Sequence, residues 1–428
     1  MKILHVSMGL PPFRTGGLNR YCSDIMKQQV KDGHKVALLY PGEFTFDGKV
    51  RIHKEKNAQF YLFRILNPLP LALSNGIQDP VRYIKKVHDD IYQKFLYDLS
   101  PDVIHVHSLQ GIHKEFFFAA TAQKIRMVFT THDYYPFCPC CVLMDAEGNL
   151  CTGPKPEKCA LCNAERGFSK KQEIIMQSRL YAKLKYTPLM EAVRNRQKIN
   201  KCYDPSSLKK TLLVKSEGYK DLLNYYALIM GTMDLIHCNS EIAQREYQKH
   251  FPNLSYKVLP ITHAGLRETT HWRSDKEGFR IGFLGGVAPY KGIQILLQAT
   301  ALLDEMGEYR WELWLYGGDF SAYITDSRIH NGGYFSTKEE DEIWQSFDLL
   351  VVPSLWKETF GFVVEEAIFH HVLVACSDLV GSQMLLPKSA VYPHDSPEKL
   401  AETIKRCYEN PKDISTESTL SIEEHCKI

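Results

Sequence analysis

The sequence has no long apolar run and almost no excess of charge of either sign. No stretch approaches the roughly 18 apolar residues that a membrane-spanning helix needs. The formal net charge of the 428 residues is +2, whereas a chain that binds nucleic acid over its whole surface normally has a strong basic excess. The composition therefore excludes a membrane-spanning protein and argues against nucleic acid as a partner.

Several signatures of nucleotide enzymes are also missing. The chain has no G-x-G-x-x-G dinucleotide turn, no Walker-type loop and no D-x-D triplet that would hold a metal on a nucleotide diphosphate. We therefore expect catalysis that requires no cofactor. Met1-Lys2 leads directly into a strand-like run without a signal-peptide pattern, which predicts a cytoplasmic protein.

Short apolar runs alternate with helical stretches along both halves of the chain, a pattern that indicates doubly wound parallel sheets. With about 100 to 200 residues per domain, we predict an α/β protein of two Rossmann-like domains that face each other across a cleft, at residues 1–255 and 256–428. The strand-like runs are KILHVSM, HKVALLY, DVIHVHS, MVFTTHD and DLIHCNS in the first half, and YKVLPI, FRIGFLGG, WELWLYGG, RIHNGGYF, DLLVVPS and VLVACSD in the second.

The alternation stops between about residues 136 and 220, which we interpret as an insertion into the N-terminal domain. The insertion begins with six of the twelve cysteines. Four of them have the ligand chemistry of a structural zinc site, namely Cys138, Cys151, Cys159 and Cys162. Reduced thiols without a ligand and a redox or iron–sulfur role are the alternatives.

The second part of the insertion is basic. From Arg166 to Lys215 the chain has thirteen Lys or Arg against three Asp or Glu, a local net charge of +10. Apolar residues recur among them at roughly helical spacing: Ile174, Ile175, Leu180, Leu184, Leu189 and Val193. A solvated helix face and peripheral contact with an anionic membrane, at the inner face of the plasma membrane, are the two interpretations.

The most informative run is VVPSLWKETFGFVVEEAIF, in which Glu358 and Glu366 stand eight positions apart. A buried strand leads into a loop, and Gly361 then opens a helix whose free N–H groups suit an anionic or hydroxyl-rich ligand. Eight helical residues at about 1.5 Å each would separate the carboxylates by roughly 12 Å. The two carboxylates are therefore expected to bind different parts of one nucleotide sugar.

Three further positions lie at the carboxyl ends of predicted strands, where open α/β sheets bind ligands. Gly16-Gly17 follow the first strand, as a plain turn or as a close approach to a phosphate or sugar. Lys291 precedes a helix, where its ammonium can hold a diphosphate or simply be solvated. His132 ends the run VFTTHD and is either a ligand contact or a structural histidine.

Taken together, the paired glycines, the THD and YKG runs, Pro353-Ser354 and the E-x7-E pair resemble the retaining GT-B glycosyltransferases of family 4, over roughly residues 1–405. The cysteine loop is similar to that of a subgroup in which HD is followed by Cys-Pro and spaced cysteines. The resemblance implies transfer of a sugar from a nucleotide-diphospho-sugar to a hydroxyl of a glycan or lipid-linked acceptor, in bacterial cell-surface polysaccharide or glycolipid synthesis. The donor would bind the C-terminal domain and the acceptor the N-terminal domain.

The resemblance also implies roles for individual residues of the C-terminal domain. Glu366 would hydrogen-bond the donor ribose, and Lys291 would neutralise the diphosphate. Glu358 would orient the transferred sugar and its phosphate together with three backbone amides. Those amides belong to Phe360, Gly361 and Phe362. Tyr334 lies in the loop that we expect to contact the base, where its ring can stack.

On the N-terminal domain, His132 would contact the sugar near the reacting face. Gly17 would bring backbone N–H groups to the phosphate or sugar. Two alternatives remain, a nucleotide-sugar epimerase of the same architecture and a non-catalytic sugar-nucleotide-binding scaffold with a zinc knuckle. An epimerase needs no acceptor and transfers nothing, whereas a scaffold binds the donor without turnover.

One residue departs from the family pattern. Family members commonly carry Arg at the position of Gly286, where with Lys291 it clamps the leaving phosphate. Loss of one partner from such a clamp could cost a few kcal/mol of transition-state stabilisation, unless another cation such as Arg14 or Lys357 replaces it.

Overall fold

The computed structural model describes the chain except residues 73–75, 89, 165, 185–186, 188–211, 267–277, 308–309, 337–338 and 412–419. It contains two compact units. The first comprises Met1–Cys238 and Arg245–Lys257, and the second comprises Asn239–Gln244 and Val258–Ile428. Each unit is built on one sheet with helices, as expected for two Rossmann-like domains.

The first unit has an eight-stranded sheet. Its strands are β1 (Lys2–Val6), β2 (Lys35–Pro41), β3 (Arg51–Glu55), β4 (Tyr61–Leu66), β5 (Val103–Val106), β6 (Arg126–Thr130), β7 (Leu235–Cys238) and β8 (Tyr256–Val258). Their order is β3-β4-β2-β1-β5-β6-β7-β8, and β3 runs antiparallel to β4. In β1 and β2 almost every residue is buried, which is typical of parallel strands covered on both faces.

Three of the described helices of the first unit lie between its strands, three lie within the insertion, and one begins in the insertion and continues beyond it. They are α1 (Gly17–Lys31), α2 (Asp90–Leu99), α3 (Lys114–Ala122), α4 (Pro156–Asn163), α5 (Lys170–Met176), α6 (Arg179–Leu184) and α7 (Leu212–Met230), with a 3₁₀ turn at Pro80–Ile84. The last helix, α8 (Glu241–His250), crosses the boundary between the units. The apolar pattern of the basic stretch forms two short helices, α5 and α6, and its positions Leu189 and Val193 lie outside the described residues.

The second unit has six parallel strands in the order β11-β10-β9-β12-β13-β14, with the bounds β9 (Phe279–Leu284), β10 (Trp311–Tyr316), β11 (Ile329–Gly333), β12 (Leu349–Val352), β13 (Leu373–Ser377) and β14 (Val391–Tyr392). Its helices are α9 (Ile293–Met306), α10 (Glu340–Gln345), α11 (Phe362–Phe369), α12 (Pro397–Glu409) and α13 (Ile422–Lys427). Short 3₁₀ turns occur at Pro289–Lys291, Ser321–Tyr323, Gly381–Leu385 and Lys388–Ala390.

Two hydrophobic clusters cover the sheet of the second unit. One joins the strands to α9 and α12, with Leu296 and Leu400 fully buried. The other joins them to α10 and α11, with Trp344 and Val364 fully buried. Helices pack on both faces of a parallel sheet, which is the doubly wound arrangement that the sequence predicts.

The structure corrects one strand assignment and adds two strands. The run YKVLPI, predicted to open the C-terminal domain, forms β8 and joins the sheet of the first unit next to β7. The strands β3 and β4 were not predicted. In β3 (RIHKE) no residue is buried, so its sequence lacks the apolar run that marks a parallel strand. None of the helices within the described ranges combines the length and apolar character that crossing a membrane would require.

Candidate active site

An ion pair between a half-buried lysine and a buried glutamate lies at the carboxyl end of the central strands of the second unit. Lys291 ends the 3₁₀ turn that follows β9, and its ammonium contacts Oε1 of Glu358. Glu358 is 5% exposed, and the same oxygen accepts hydrogen bonds from Ser354 Oγ at 2.8 Å and Trp356 Nε1 at 3.0 Å. The Lys291 ammonium also stands 5.5 Å from the centroid of the Trp356 ring. Lys291 is thus held in place by a carboxylate and an indole.

Glu358 stays ionised in spite of its burial. Burial is the largest influence and by itself raises the pKa of Glu358, but the charge and hydrogen bond of Lys291, with the hydrogen bonds of Ser354 and Trp356, outweigh it and leave the pKa below its usual value. An ionised carboxylate only accepts hydrogen bonds. Glu358 is therefore suited to positioning a cation and not to donating a proton.

Two glycines allow the Lys291 turn and the Glu358 loop to approach closely. Gly292 has a φ of 77°, and a Cβ there would stand 1.6 Å from the carbonyl oxygen of Pro353. Gly361 caps α11 with a φ of 97°, and a Cβ there would lie 2.9 Å from Oε2 of Glu358. A side chain at position 292 would push the two segments apart, and one at position 361 would displace the Glu358 carboxylate.

The E-x7-E run is a loop followed by a helix. Helix α11 begins at Phe362, so Glu358 precedes it and the assumption that all eight positions are helical is wrong. The side chain of Phe360 is buried, and the backbone N–H groups of Gly361 and Phe362 donate to no acceptor among the described residues. Unsatisfied N–H groups at a helix N-terminus favour an anion.

Glu366 has a partner that the sequence did not reveal. Oε1 of Glu366 lies 3.1 Å from Nε2 of His263. The N–H of Gly265 donates to His263 Nδ1 at 3.1 Å, so the neutral ring carries its proton on Nε2 and donates it to Glu366. The ring of His263 is buried and packs edge to face on Phe362. His263 therefore fixes the orientation of the Glu366 carboxylate, whose side chain is 15% exposed.

Paired glycines mark the carboxyl ends of the three neighbouring strands β9, β10 and β11. They are Gly285-Gly286, Gly317-Gly318 and Gly332-Gly333. A Cβ at Gly286 would meet no atom within 4 Å, so there is space at the position where the family carries Arg. Tyr334 directly follows β11 and is 73% exposed, which leaves its ring open to a stacking partner.

The predicted site residues of the first unit lie at the ends of its own elements. Gly17 is exposed and begins α1, with Gly16 at a φ of 109° as the preceding cap. Arg14 lies in the loop before this helix, and its Nε is buried without a hydrogen-bond partner in the described part of the chain. Lys357, the other alternative cation, lies in the second unit next to Glu358.

His132 follows β6 and ends a chain of hydrogen-bonded histidines. Its Nε2 lies 3.4 Å from Nδ1 of His107, and Nε2 of His107 lies 2.9 Å from Nδ1 of His5. Nε2 of His5 lies 2.7 Å from Oε1 of Gln29 in α1. Because an amide oxygen only accepts, His5 donates from Nε2 to Gln29, and the neutral rings of His107 and His132 each donate from Nε2 in turn. The chain therefore selects one tautomer of His132.

Burial keeps these histidines neutral. It lowers the pKa of His132 to about 3, with a smaller effect of His237, and lowers the pKa of His5 to about 4. The pKa of His107 lies well below its usual value for the same reason. At neutral pH His132 is therefore a hydrogen-bonding group without charge. The only sequence signal for this row of histidines was the H-x-H of DVIHVHS. The pairing of β1 with β5, which places His5 opposite His105, brings the rings together.

The cysteine-rich loop forms a separate feature of the first unit. Five cysteines line one cavity of about 60 Å³: Cys138, Cys140, Cys151, Cys159 and Cys162. All described cysteines are free. Burial raises the pKa of Cys138 to about 11, whereas the backbone N–H groups of Leu143, Cys140 and Val142 lower it. Burial also raises the pKa of Cys159 to about 12, and the charges of Cys138, Cys162 and Cys151 add to this effect.

Comparison with known proteins matches both halves of the chain to glycosyltransferase families. The family model Glycosyltransferase Family 4 matches residues 15–156, and Glycosyl transferases group 1 matches residues 278–410. A relative from Klebsiella pneumoniae, described as an uncharacterized 42.6 kDa protein in cps region, is 22% identical over 383 residues and covers 86% of this chain and 83% of its own length.

Solved structures share the fold over the full chain at low identity. Sucrose-phosphate synthase from Thermosynechococcus elongatus has a TM-score of 0.54 and is 14% identical, covering 100% of this chain and 93% of its own. HepE of Anabaena in complex with UDP has a TM-score of 0.55 and is 14% identical, covering 100% and 94%. The chain thus has the GT-B fold, with one Rossmann-like sheet in each of its two units.

Two doubly wound units with these family matches define a GT-B glycosyltransferase. The chain is a glycosyltransferase that carries a family 4 domain in its first unit and a group 1 domain in its second. The resemblance to family 4 predicted from the motifs is confirmed. The roles of the individual site residues stay predictions.

Proposed function

We propose that this enzyme transfers a sugar from a nucleotide-diphospho-sugar to a hydroxyl of a glycan or lipid-linked acceptor, with retention of the anomeric configuration. The observation that carries the proposal is the ion pair of half-buried Lys291 with buried Glu358 beside the N-terminus of α11. It offers a fixed ammonium and free N–H groups to a leaving diphosphate. The structures of HepE with UDP and with UDP-glucose support this donor class.

In this proposal, three residues of the second unit bind different parts of the donor. Lys291, held by Glu358, neutralises the charge that develops on the diphosphate as the bond from sugar to phosphate breaks. Glu366, oriented by His263, accepts hydrogen bonds from the ribose hydroxyls. The exposed ring of Tyr334 stacks on the base.

In this scheme retention comes from attack by the acceptor on the same face of the sugar and not from a covalent intermediate on the enzyme. Glu358 is already engaged by three donors, so it does not attack the sugar. The acceptor oxygen bonds to the anomeric carbon on the face that the phosphate leaves, and the acceptor proton passes to the departing phosphate oxygen.

Turnover of a panel of nucleotide sugars with mixed acceptors tests this scheme. Lys291→Ala should lower kcat by about a hundredfold or more, as removal of a preorganised electrostatic group does. Glu366→Ala should mainly raise the KM for the donor. Unchanged turnover in both variants would refute the assignment, and NMR of the product bond tests retention. Conversion of the donor without an acceptor would indicate an epimerase, and donor-stabilised melting without turnover would indicate a scaffold.

We also propose that helices α5 and α6 contact an anionic membrane surface, in keeping with a role in bacterial cell-surface polysaccharide or glycolipid synthesis. Ile175 and Leu180 are 56% and 67% exposed on these helices. Ile174 and Leu184 are also exposed. The same two helices carry four basic residues: Lys170, Lys171, Arg179 and Lys183. Each basic side chain near anionic lipid contributes about 1 kcal/mol, and the apolar side chains add area buried in the interface.

Sedimentation with vesicles of neutral or anionic lipid tests the membrane contact. We expect salt-sensitive binding to anionic vesicles that is lost in Lys170→Glu/Lys171→Glu and weakened in Ile175→Asp. Lys94→Glu, an exposed lysine on α2, is the matched control and should bind normally. Equal binding by the wild type and the double variant would refute the proposal. The relative from a cps region supports the proposed role in cell-surface polysaccharide synthesis.

A further inference from the structure

The glycosyltransferase site does not use the cysteines of the first unit, and their arrangement calls for a function of its own. Four of these cysteines follow the spacing Cys-x12-Cys-x7-Cys-x2-Cys and belong to two segments, a loop and a helix. Cys138 and Cys151 lie on a loop, and Cys159 and Cys162 lie on α4. All four line the cavity of about 60 Å³, which exceeds the roughly 10 to 15 Å³ that one water or ion needs.

The loop that holds Cys138 and Cys151 is closed by its own backbone. Cys141 and Leu143 have φ values of 64° and 50°, which turn the chain sharply after Cys138. Met144 and Leu150 form an antiparallel bridge, and the N–H of Cys151 donates to the carbonyl of Leu143 at 2.8 Å. The bridge therefore returns Cys151 to the turn that begins at Cys138.

Helix α4 presents the other two sulfurs to the same cavity. Cys159 and Cys162 are three residues apart, so they lie on one face of the helix. The helix is anchored by Asn163, whose Oδ1 accepts the N–H of Ile77 at 2.7 Å and whose amide donates to the carbonyl of Cys159 at 2.8 Å. The anchored helix keeps Cys159 and Cys162 at the lining of the cavity.

We propose that Cys138, Cys151, Cys159 and Cys162 bind one structural zinc ion that joins this loop to α4. Zinc prefers four thiolates at about 2.3 Å in a tetrahedron. Cys151 and Cys162 are half-buried, which gives the ion a path into the cavity. Lys158 lines the cavity, and the positive charge of Arg166 stabilises a thiolate at Cys162. Two cations therefore offset the negative charge of four thiolates around a zinc ion.

The sulfurs must close in when the ion binds. Zinc–sulfur bonds of about 2.3 Å place tetrahedral sulfurs roughly 3.8 Å apart. Among the described residues, no three of the cysteine sulfurs lie within 4.8 Å of one another. The group that meets this distance consists of His5, His105 and His107. That group is already hydrogen-bonded, with His5 shared between His107 and Gln29, and it has no negative charge to offset a cation. The thiols are therefore the better zinc ligands.

Metal analysis of the full chain, purified under reducing conditions without a metal-affinity tag, tests the zinc site. We expect about one equivalent of zinc in the wild type and at least tenfold less in Cys159→Ser/Cys162→Ser. Cys141→Ser is the matched control, because Cys141 belongs to the same loop but does not line the cavity, and it should keep the zinc. Less than a tenth of an equivalent after incubation with zinc chloride would overturn the proposal. So would zinc that persists in the double variant, or iron in place of zinc.

A second measurement on the wild type does not depend on the folding of variants. Release of zinc by a mercurial thiol reagent, followed with a chromogenic zinc chelator, should proceed in proportion to thiol modification. Cobalt in place of zinc should show the charge-transfer absorption of cobalt–thiolate bonds. Cobalt bound without that absorption would indicate nitrogen ligands such as the His5 group and would overturn the proposal.

Discussion

At the scale of single residues, the site is defined by what surrounds Lys291. Its ammonium is paired with Glu358 and stands over the ring of Trp356. The sequence predicts only a lysine on a turn, whereas these two contacts fix the position of its charge. Gly286 lies at the end of the same strand β9 and leaves open space where the family carries Arg. In the proposed scheme, Lys291 therefore acts on the phosphate without the Arg that the family carries.

Restoring that side chain should raise the rate. Gly286→Arg introduces a cation at a position with no atom within 4 Å of the new Cβ, so we expect little change in melting temperature. A second cation on the leaving phosphate should raise kcat/KM by about tenfold or more, since 1.4 kcal/mol of transition-state stabilisation corresponds to tenfold. Initial rates with the accepted donor measure the effect.

Two substitutions at the same position separate charge from size. Gly286→Gln adds a long polar side chain without charge, and Gly286→Ala adds only the Cβ. Neither should increase kcat/KM. A Gly286→Arg variant that folds normally and turns over no faster than Gly286→Gln would show that this position does not face the phosphate.

At the scale of elements, the turn between β9 and α9 carries Lys291 to the strand end of β12. The turn can lie there because Gly292 adopts a left-handed conformation against the carbonyl of Pro353. The E-x7-E run is a second such element, in which the loop holds Glu358 and helix α11 holds Glu366. In both elements a glycine with a positive φ precedes the helix, Gly292 before α9 and Gly361 before α11, because glycine adopts this conformation without strain.

Gly292→Ala should destabilise the second unit strongly. The added Cβ would collide with a backbone oxygen at 1.6 Å, so the turn must move, and we expect a loss of about 3 kcal/mol or more. Urea unfolding followed by tryptophan fluorescence measures this, because all five tryptophans lie in the second half of the sequence.

Gly333→Ala is the matched control for that variant. Gly333 has a similar φ of 69° in the same unit, but a Cβ there would meet nothing within 4 Å. The left-handed conformation alone should then cost about 1 kcal/mol. Equal destabilisation by the two variants would contradict the collision as the cause.

At the scale of the whole molecule, we expect the buried histidines of the first unit to make its stability depend on pH. The first unit buries neutral histidines whose folded-state pKa is about 3 for His132 and about 4 for His5 and His113, below the usual 6.5. At a pH between these folded-state pKa values and 6.5, the unfolded state binds more protons than the folded state. The stabilising contribution is therefore present above pH 6.5 and is lost as the pH falls toward 4.

Acid should accordingly destabilise the first unit at a slope of up to about 1.4 kcal/mol per pH unit for each such histidine. Asp133 acts in the opposite direction, because burial raises its pKa to about 6 and the folded state then binds the proton more readily. Urea unfolding at pH 7, 6 and 5, followed by circular dichroism, measures the slope. Tryptophan fluorescence follows the second unit separately.

The variant His132→Gln checks the origin of that slope. It removes one group that is neutral in the folded state and charged in the unfolded state, so the slope between pH 6.5 and 4 should fall by about one proton. A slope that does not change would mean that His132 is protonated in both states or in neither.

The parts of the site that the sequence predicted share one property, which is that they are local in the chain. Glu358, Gly361 and Glu366 lie within one strand–loop–helix run, and Lys291 lies between a strand and its helix, so periodicity and turn residues were sufficient to place them. His263 and His107 were missed because their partners Glu366 and His5 are about a hundred residues away. No local pattern encodes such contacts.

The sequence by itself determined two doubly wound domains, the glycine turns and the order of charged groups along each loop, because strand periodicity and helix termini are properties of a few neighbouring residues. Only the tertiary structure decided that β8 belongs to the first sheet, that Lys291 pairs with Glu358 and that five cysteines share one cavity. These features depend on strand register and on packing between distant segments. They form only when the whole chain has folded, because burial then brings together groups that the sequence keeps apart.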